Sequence, residues 1–274
     1  MFSFHSLLLL SDSALPLGSF AFSSGLESFL AHRSQTRSSR QESLKPSKIK
    51  DFEAFLSLSL ENIGSTALPY VLFAYGDAGG LEVLERLDDE FDASTTCAVT
   101  RRASVTQGRA LCEIFVRSLV VGSGDAFHDA EIDGTNASDE TIASSNATKK
   151  SVTGFATAIT ATKPKDPQDI QSLHGHFPPV FGAVSRVLAL TEVETAYVFL
   201  LNHCKAVLSA AVRAGVMGPY QSHAVLANPA LRRNIEAVIE RYQSLKVGEA
   251  GISAPIVEVW SGRHELLYSR IFNS

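Results

Sequence analysis

Apolar residues recur at helical spacing along most of this 274-residue chain, while runs that alternate as a strand would are scarce. Residues three and four apart share one face of a helix, so each such stripe predicts a helix with a buried side. We therefore predict an all-α fold, a compact helical bundle forming one domain over residues 1–274. The stripes run through residues 49–63, 84–91, 103–115, 193–211 and 231–242.

Two helix starts carry specific signals. Thr191 and Glu194 have the spacing of a capping box, in which each side chain bonds the other residue's backbone N–H. Asn228 precedes Pro229, which is typical of a cap followed by proline at the first helical position. Residues 256–260 are the exception, because their apolar pattern predicts a short, isolated strand.

Two polar segments look like insertions. Residues 33–47 are rich in Ser, Arg, Gln and Lys, and residues 122–150 combine acidic residues with Gly, Ser, Thr and Asn. Neither shows apolar periodicity, so neither buries enough surface to offset the entropy lost on ordering. We predict that both are mobile surface loops.

Composition excludes several classes of protein. The formal net charge of −5 leaves no basic field to hold nucleic acid. The three cysteines are far apart and form no CxxC, which favours a reducing compartment over a disulfide framework or a zinc knuckle. The apolar run at residues 7–10 is too short for a secretion signal, and no uninterrupted run is long enough to cross a membrane. We expect a cytoplasmic protein that binds neither nucleic acid nor membrane.

The opening segment, residues 11–27, raises the question of catalysis. Ser11 or Ser13 would be the nucleophile of a serine hydrolase, but the G-x-S-x-G elbow is missing and no strand precedes them. A structural corner explains more residues, since Asp12 can accept backbone N–H groups, Pro16 fixes a turn and Gly18 allows a positive φ.

A metal or phosphate site has weaker signals. His174 and His176 place two imidazoles close together, as some nickel and copper sites do, but no acid or thiol is near them in sequence. A histidine-based nickel carrier therefore stays an alternative, as does the serine hydrolase. Neither GxxxxGK[ST] nor GxGxxG occurs, so no nucleotide is expected to bind this chain alone.

Two further segments favour contacts with a partner. The small residues of 208–218 allow close helix packing, and Arg213 among them is either exposed to water at a helix end or paired at an interface. The tail, residues 263–274, carries the aromatic and arginine residues that are enriched in interfaces. It either packs on its own bundle or docks on a partner.

Four blocks, in order, resemble the UreF family of urease accessory proteins. They are SDSALPLGSFAFSSGLE (11–27), RRASVTQGRAL (101–111), residues 176–226 from HFPPVFGAVSRVLAL to AAVRAGVMGPYQSHAVL, and LYSRIFNS (267–274). The first and last are specific, and together the blocks span nearly the whole chain. One departure is Pro219, where many members have Gln after the glycine.

The resemblance implies an all-α scaffold rather than an enzyme. Such proteins tend to form dimers, bind a UreD (UreH) partner, recruit the GTPase UreG and help deliver nickel to apo-urease. It implies no cofactor bound by this chain alone, with nickel and GTP acting through the complex. The partner-binding residues implied are Ser11, Asp12, Ser13, Pro16, Gly18, Phe20, Glu27, Gln107, Gly108, Arg213, Gly218, Tyr268, Ser269, Arg270 and Phe272.

Overall fold

A computed structural model describes residues 2–38, 48–77, 80–119, 139–161 and 173–273, and within these ranges the regular structure is helical, with no strand. The all-α prediction is confirmed. The helices are α1 (Phe2–Ser11), α2 (Leu26–Ser38), α3 (Lys48–Thr66), α4 (Leu68–Asp77), α5 (Leu81–Ser94), α6 (Ala98–Ile114), α7 (Asp139–Ala161), α8 (Phe177–Val187), α9 (Glu192–Arg213), α10 (Pro219–Leu226), α11 (Pro229–Tyr242) and α12 (Pro255–Arg263).

The chain divides into two compact units, each built from separate stretches of sequence. The first unit comprises Met1–Leu17, Tyr70–Ser94 and Ser104–Thr195. The second comprises Gly18–Pro69, Thr95–Ala103 and Ala196–Ser274. The prediction of a single domain over 1–274 stays a prediction.

The core of the first unit forms where α5, α7 and α8 pack together. The stripe predicted on α5 is buried, and α7 and α8 supply the facing side chains. Gly182 lets α8 approach α4 closely because it has no side chain. A Cβ at this position would lie 2.0 Å from the carbonyl oxygen of Val71. The side chains buried from these three helices include Leu84, Leu87, Phe91, Val152, Phe155, Ile159, Val180, Phe181 and Val184.

A buried carboxylate organises the loop that leads into α8. Asp88 of α5, 1% exposed, accepts the backbone N–H groups of His174 at 2.7 Å, Gly175 at 3.0 Å and His176 at 2.6 Å. Arg109 of α6 binds the same loop, because its Nε donates to the carbonyl oxygen of His174 at 2.7 Å. Because buried backbone groups need partners, these bonds fix the path of the loop.

In the second unit, α3 packs against α11 and α12, and α12 also packs against α2. The stripes predicted on α3 and α11 point inward at Phe52, Leu60 and Ile235. An aromatic cluster joins three helices, with ring centroids 5.2 Å apart for Phe29 and Phe55, and 4.7 Å apart for Phe29 and Trp260. Such packing buries large apolar area and joins α2, α3 and α12.

The predicted caps at two helix starts are confirmed. Thr191 and Glu194 exchange the bonds of a capping box, with the backbone N–H of Thr191 donating to Glu194 at 2.7 Å and that of Glu194 donating to the Thr191 hydroxyl at 3.2 Å. The side chain of Asn228 accepts the N–H of Ala230 at 2.9 Å.

Two local predictions are wrong. The segment predicted as a strand, residues 256–260, lies in α12, where Pro255 occupies the first turn and Val257 and Ser261 form the buried face. Ile256 and Val259 are exposed, so their apolar character does not mark a buried strand. Val193, predicted on the buried stripe of α9, is also exposed, and Thr195 forms the buried side of the helix's first turn.

The insertions differ in part from the prediction of mobile loops. Residues 33–38 continue α2, and residues 139–150 form the first half of α7. The buried side of α7 reaches back to Thr148, which is 2% exposed. Residues 39–47 and 122–138 lie outside the described residues.

Among the described helices, α9 alone is long and apolar enough to cross a membrane by length and composition. Of its most apolar window, 56% is buried inside the protein, as in a core helix.

Gly108 tests the close packing of α6 on the Asp88 loop. A Cβ there would lie 2.1 Å from the carbonyl oxygen of Gly175, so Gly108→Ala should lower the free energy of unfolding by roughly 1–3 kcal/mol in urea titrations. Gly76→Ala in α4 is the matched control, because its Cβ would meet no atom within 4 Å. The control should be neutral or slightly stabilising, and equal effects of the two changes would contradict the packing argument.

Candidate partner-binding site

The residues predicted to bind partners fall in both units. Ser11, Asp12, Ser13, Pro16, Gln107 and Gly108 belong to the first unit, and the others belong to the second. The structure brings five of the second group together around the tail: Phe20, Glu27, Arg213, Arg270 and Phe272. The partner-binding roles of these residues stay predictions.

In the first unit, residues 11–16 form a turn at the end of α1. The Ser11 hydroxyl donates to the carbonyl of Leu8 at 3.0 Å, and Asp12 accepts the N–H of Ala14 at 2.9 Å, as the structural interpretation expected. Ser13 and Pro16 are exposed. Within the described residues no histidine bonds Ser13, so the turn lacks the base that a serine nucleophile needs.

Gln107 and Gly108 lie on α6. Gly108 is buried against the Asp88 loop, and Gln107 is half-buried. Because Gly108 approaches Gly175 closely, residues 107–108 of the block 101–111 have a packing role inside the first unit.

The two histidines considered for nickel have different environments. His176 is fully buried, with Nε2 3.0 Å from Asp92 and Nδ1 3.0 Å from the Ser104 hydroxyl. His174 is partly exposed, and its Nε2 lies 3.7 Å from the same Asp92 carboxylate. Among the described residues, no group of three or more His, Cys, Asp or Glu side chains is arranged to hold a metal ion.

One proton arrangement satisfies every group around His176. Burial, opposed by Asp88 and Asp92, lowers the pKa of His176, so the ring is neutral at pH 7. Nε2–H then donates to Asp92 and Nδ1 accepts the Ser104 hydroxyl proton, while the same hydroxyl oxygen accepts the N–H of Phe177 at 3.2 Å. Both ring nitrogens are therefore used within the fold, which disfavours His176 as a nickel ligand.

In the second unit, two residues with a left-handed backbone conformation shape the turn before α2. Ser24 and Gly25 have φ of 51° and 86°, and a Cβ at Gly25 would lie 3.0 Å from the backbone nitrogen of Ser261. Gly18 has φ of 70°, as predicted for the corner. These turns place Glu27 in the first turn of α2.

The Glu27 carboxylate binds the main chain of the tail. Its Oε1 accepts the N–H of Ile271 at 2.7 Å, and its Oε2 accepts the N–H of Phe272 at 3.3 Å. His264 is fully buried, and its Nε2 donates to Oε2 of Glu27 at 3.0 Å. One side chain near the beginning of the chain thus satisfies two donors near its end.

Arg213, in the last turn of α9, reaches the tail from another side. Its guanidinium carbon lies 4.4 Å from the centroid of the Phe272 ring, and Nη2 donates to the carbonyl oxygen of Phe20. Phe272 is only 4% exposed. Of the alternatives that the sequence left open, Arg213 is exposed at the end of its helix, and the contacts that it makes lie within its own chain.

Exposed ion pairs brace the first half of the tail. Glu265 bonds Arg102 at 2.6 Å and Arg270 at 2.8 Å, and these hydrogen bonds, that from Arg102 most strongly, lower the pKa of Glu265. Arg102 also donates to the carbonyl of Asn273 at 2.9 Å. Arg102, His264 and Glu265 were missed as site residues, because nothing local in the sequence shows that residues so distant from one another meet.

The tail leaves apolar side chains exposed. Tyr268 is fully exposed, and Leu266 and Ile271 are largely exposed. Phe20, whose neighbour Ala21 accepts the N–H of Asn273, is 63% exposed. We call these four residues the tail patch. Ser269 and Arg270 are also exposed, so this face combines apolar, aromatic and arginine side chains.

Gly218 lies apart from the tail contacts, at the start of α10. Its N–H donates to the Gln221 side chain at 3.0 Å, and Pro219 takes the first helical position, where its missing N–H has no cost.

Comparison with known proteins decides the family. The UreF family model matches residues 47–230. The chain belongs to the UreF family. It is 32% identical to an uncharacterized UreF-like urease accessory protein of Schizosaccharomyces pombe over 272 residues, covering 98% of this chain and 97% of that protein.

Similarity extends to other fungi and to plants. Urease accessory protein 6 of Cryptococcus neoformans is 27% identical over 98% of this chain and 96% of its own length. Urease accessory protein F of Arabidopsis thaliana is 27% identical over 96% of this chain and 89% of its own length. UreF proteins are accessory proteins and not enzymes, so the serine hydrolase alternative is wrong.

His176 generates a prediction about pH for this UreF protein. Since the folded state lowers the pKa of His176, the unfolded state binds a proton first, and the free energy of unfolding should fall as pH drops below about 6.5. His203, whose pKa burial lowers to about 4, should add to the same slope. Urea titrations at pH 7 and pH 5 measure the effect.

The contribution of His176 is separable by substitution. His176→Asn should lower stability at pH 7 and reduce its further loss at pH 5, whereas His223→Asn, at an exposed site, should leave the loss unchanged. An unchanged loss in His176→Asn would mean that this ring is protonated in the fold.

Proposed function

We propose that this chain is a scaffold for urease maturation that binds a UreD (UreH) partner, recruits the GTPase UreG and couples its GTP state to nickel insertion into apo-urease. Membership of the UreF family is the observation that carries the proposal. Nickel is cargo in this scheme, and nickel and GTP act through the complex. A cytoplasmic homodimer is part of the same proposal.

The chemistry of the chain supports a binding role. Its sequence has no phosphate-binding glycine loop, so the GTP-dependent step belongs to a partner. The described residues of the opening turn lack a base for Ser13, and His176 is committed to Asp92 and Ser104. What the second unit offers is an exposed surface of apolar, aromatic and arginine residues.

The tail patch is the surface that we assign to UreD. Phe20, Leu266, Tyr268 and Ile271 expose large apolar groups beside Arg270, and such residue types dominate the binding energy of interfaces. Exposed apolar surface rimmed by polar residues is typical of a protein-interaction site. The resemblance of residues 267–274 to the closing block of the family favours UreD as that partner.

Complementation tests the proposed function. Urease activity should return, and should depend on nickel, when this chain is supplied with its cognate UreD and UreG to a urease-positive cell that lacks UreF. The same cell without the chain is the control. Absence of activity with folded, expressed protein would contradict the proposal. Tight nickel binding by the isolated chain in equilibrium dialysis would support the carrier alternative.

The tail patch generates a sharper prediction. Tyr268→Ala should weaken binding of UreD by about ten-fold, since exposed aromatic residues at interface centres cost the most when truncated. Deletion of residues 267–274 should abolish binding and leave helicity unchanged. Tyr220→Ala is the matched control, because Tyr220 is 93% exposed and lies in α10 of the same unit. Pull-down and surface plasmon resonance measure the effect, and equal losses in the two tyrosine variants would contradict the assignment.

A further inference from the structure

We infer that Ser244 is a phosphorylation site for a protein kinase of basic specificity, and that the phosphate then takes Arg241 from its ion pair with Glu61. The inference goes beyond the proposed function and does not depend on it. It rests on the exposure of one serine, the backbone around it and the charged side chains beside it.

Four sites in the sequence have arginine three residues before a serine or threonine. They lie at positions 33–36, 40–43, 101–104 and 241–244. A kinase of basic specificity binds such an arginine in an acidic pocket, which places the hydroxyl that follows it at the γ-phosphate of ATP. The structure describes the acceptor side chain in two of these sites, Ser104 and Ser244, and their environments differ.

Ser104 is poorly placed for modification, although two arginines precede it. It lies inside α6 and is only 9% exposed. Its hydroxyl lies 3.0 Å from Nδ1 of His176 and accepts the N–H of Phe177 at 3.2 Å. A kinase binds its substrate as an extended segment, so modification of Ser104 would require α6 to unfold around it.

Ser244 has the opposite environment. α11 ends at Tyr242, and Ser244 lies exposed in the turn that follows, with Leu245 and Lys246 outside any helix. Arg241, in the last turn of α11, has a side chain that is 62% exposed. Because helix ends open more readily than helix centres, opening the last turn of α11 is enough to present residues 241–244 to a kinase.

The modification is a phosphoryl transfer from ATP held by the kinase. The Oγ of Ser244 forms a bond to the γ-phosphorus, and the bond from that phosphorus to the bridging oxygen of ADP breaks. The hydroxyl proton passes to the catalytic base of the kinase, and ADP leaves. The product carries an added charge of about −1.5 to −2 and three acceptor oxygens just beyond the end of α11.

The charged side chains beside Ser244 determine what the phosphate binds. A helix C-terminus repels a negative group, so the phosphate needs cations, and Arg241 and Lys246 flank it in sequence. In the unmodified chain, Nη1 of Arg241 donates to Oε1 of Glu61 on α3, which also accepts the hydroxyl of Tyr242 at 2.7 Å. A guanidinium binds phosphate through two parallel hydrogen bonds, and Glu61 keeps the hydrogen bond from Tyr242 when Arg241 leaves. Arg241 therefore exchanges the carboxylate for the phosphate.

Mapping of phosphate on the folded, full-length chain tests the site. The probe is ATP with calcium/calmodulin-dependent protein kinase II, which selects arginine three residues before the acceptor. Synthetic peptides of residues 98–108 and 238–248 are the unfolded references, and both should be modified. In the folded chain Ser244 should be modified, and Ser104 at least about ten-fold more slowly, because the fold buries it. An unmodified Ser244 in the folded chain would overturn the inference.

Substitution of arginine separates recognition by the kinase from simple exposure of the serine. Arg241→Gln should slow modification of Ser244 by at least about ten-fold, because it removes the charge that the kinase binds. Arg233→Gln is the matched control, since Arg233 is an exposed arginine of the same helix, and it should leave the rate unchanged. Equal rates in the two variants would show that Arg241 does not direct the kinase to Ser244, which would contradict the inference.

A phosphorus NMR titration tests the exchange of partners by Arg241. Phosphoserine is placed at position 244 during translation, so that no kinase is needed and Arg241 can be replaced. Pairing with a guanidinium favours the doubly charged phosphate, so Arg241→Gln should raise the second pKa of the phosphate, which is about 6 in an unpaired phosphoserine. Arg233→Gln should leave this pKa unchanged. If Arg241→Gln also leaves it unchanged, Arg241 stays with Glu61 and the second part of the inference is wrong.

Discussion

The end of the second unit depends on the carboxylate of Glu27, which accepts backbone N–H groups that no helix or strand satisfies. Residues 271–273 lie outside the helices, so their N–H groups need acceptors from elsewhere in the chain. Glu27 supplies two of these, and Ala21 the third. Asp88 does the same for the loop at 174–176 in the first unit. In each unit an acidic side chain, fixed in the first turn or the middle of a helix, sets the path of a non-helical segment.

Local chemistry made much of the fold predictable. The stripes at Phe52, Leu87 and Ile235 are buried, and the caps at Thr191 and Asn228 form the bonds that their spacing indicates. Those signals work because all their atoms lie within two helical turns. The strand predicted for residues 256–260 is wrong, because these residues form a short helix. Their apolar side chains divide between its buried and its exposed face.

The candidate site was less predictable, because its contacts join distant residues. Glu27 and Ile271 are 244 positions apart, and Arg213 lies 193 positions from Phe20. The sequence singles out Glu27, Arg213 and Phe272 by their resemblance to family blocks, but nothing local shows that they meet. Gly108 also belongs to a family block, but the structure gives it a packing role. The carbonyl oxygen of Gly175 lies too close to Gly108 for any larger side chain.

Holding the tail by its backbone has a consequence for molecular recognition. The groups that fold the tail and the groups that it offers to a partner are different atoms, so the two tasks can be altered separately. Replacing the side chains at 268 and 271 changes the shape and polarity presented outward while the amide bonds to Glu27 persist. Under the proposed function, the partner specificity of a UreF protein can then be changed at positions 268 and 271 without altering the backbone bonds that fold the tail.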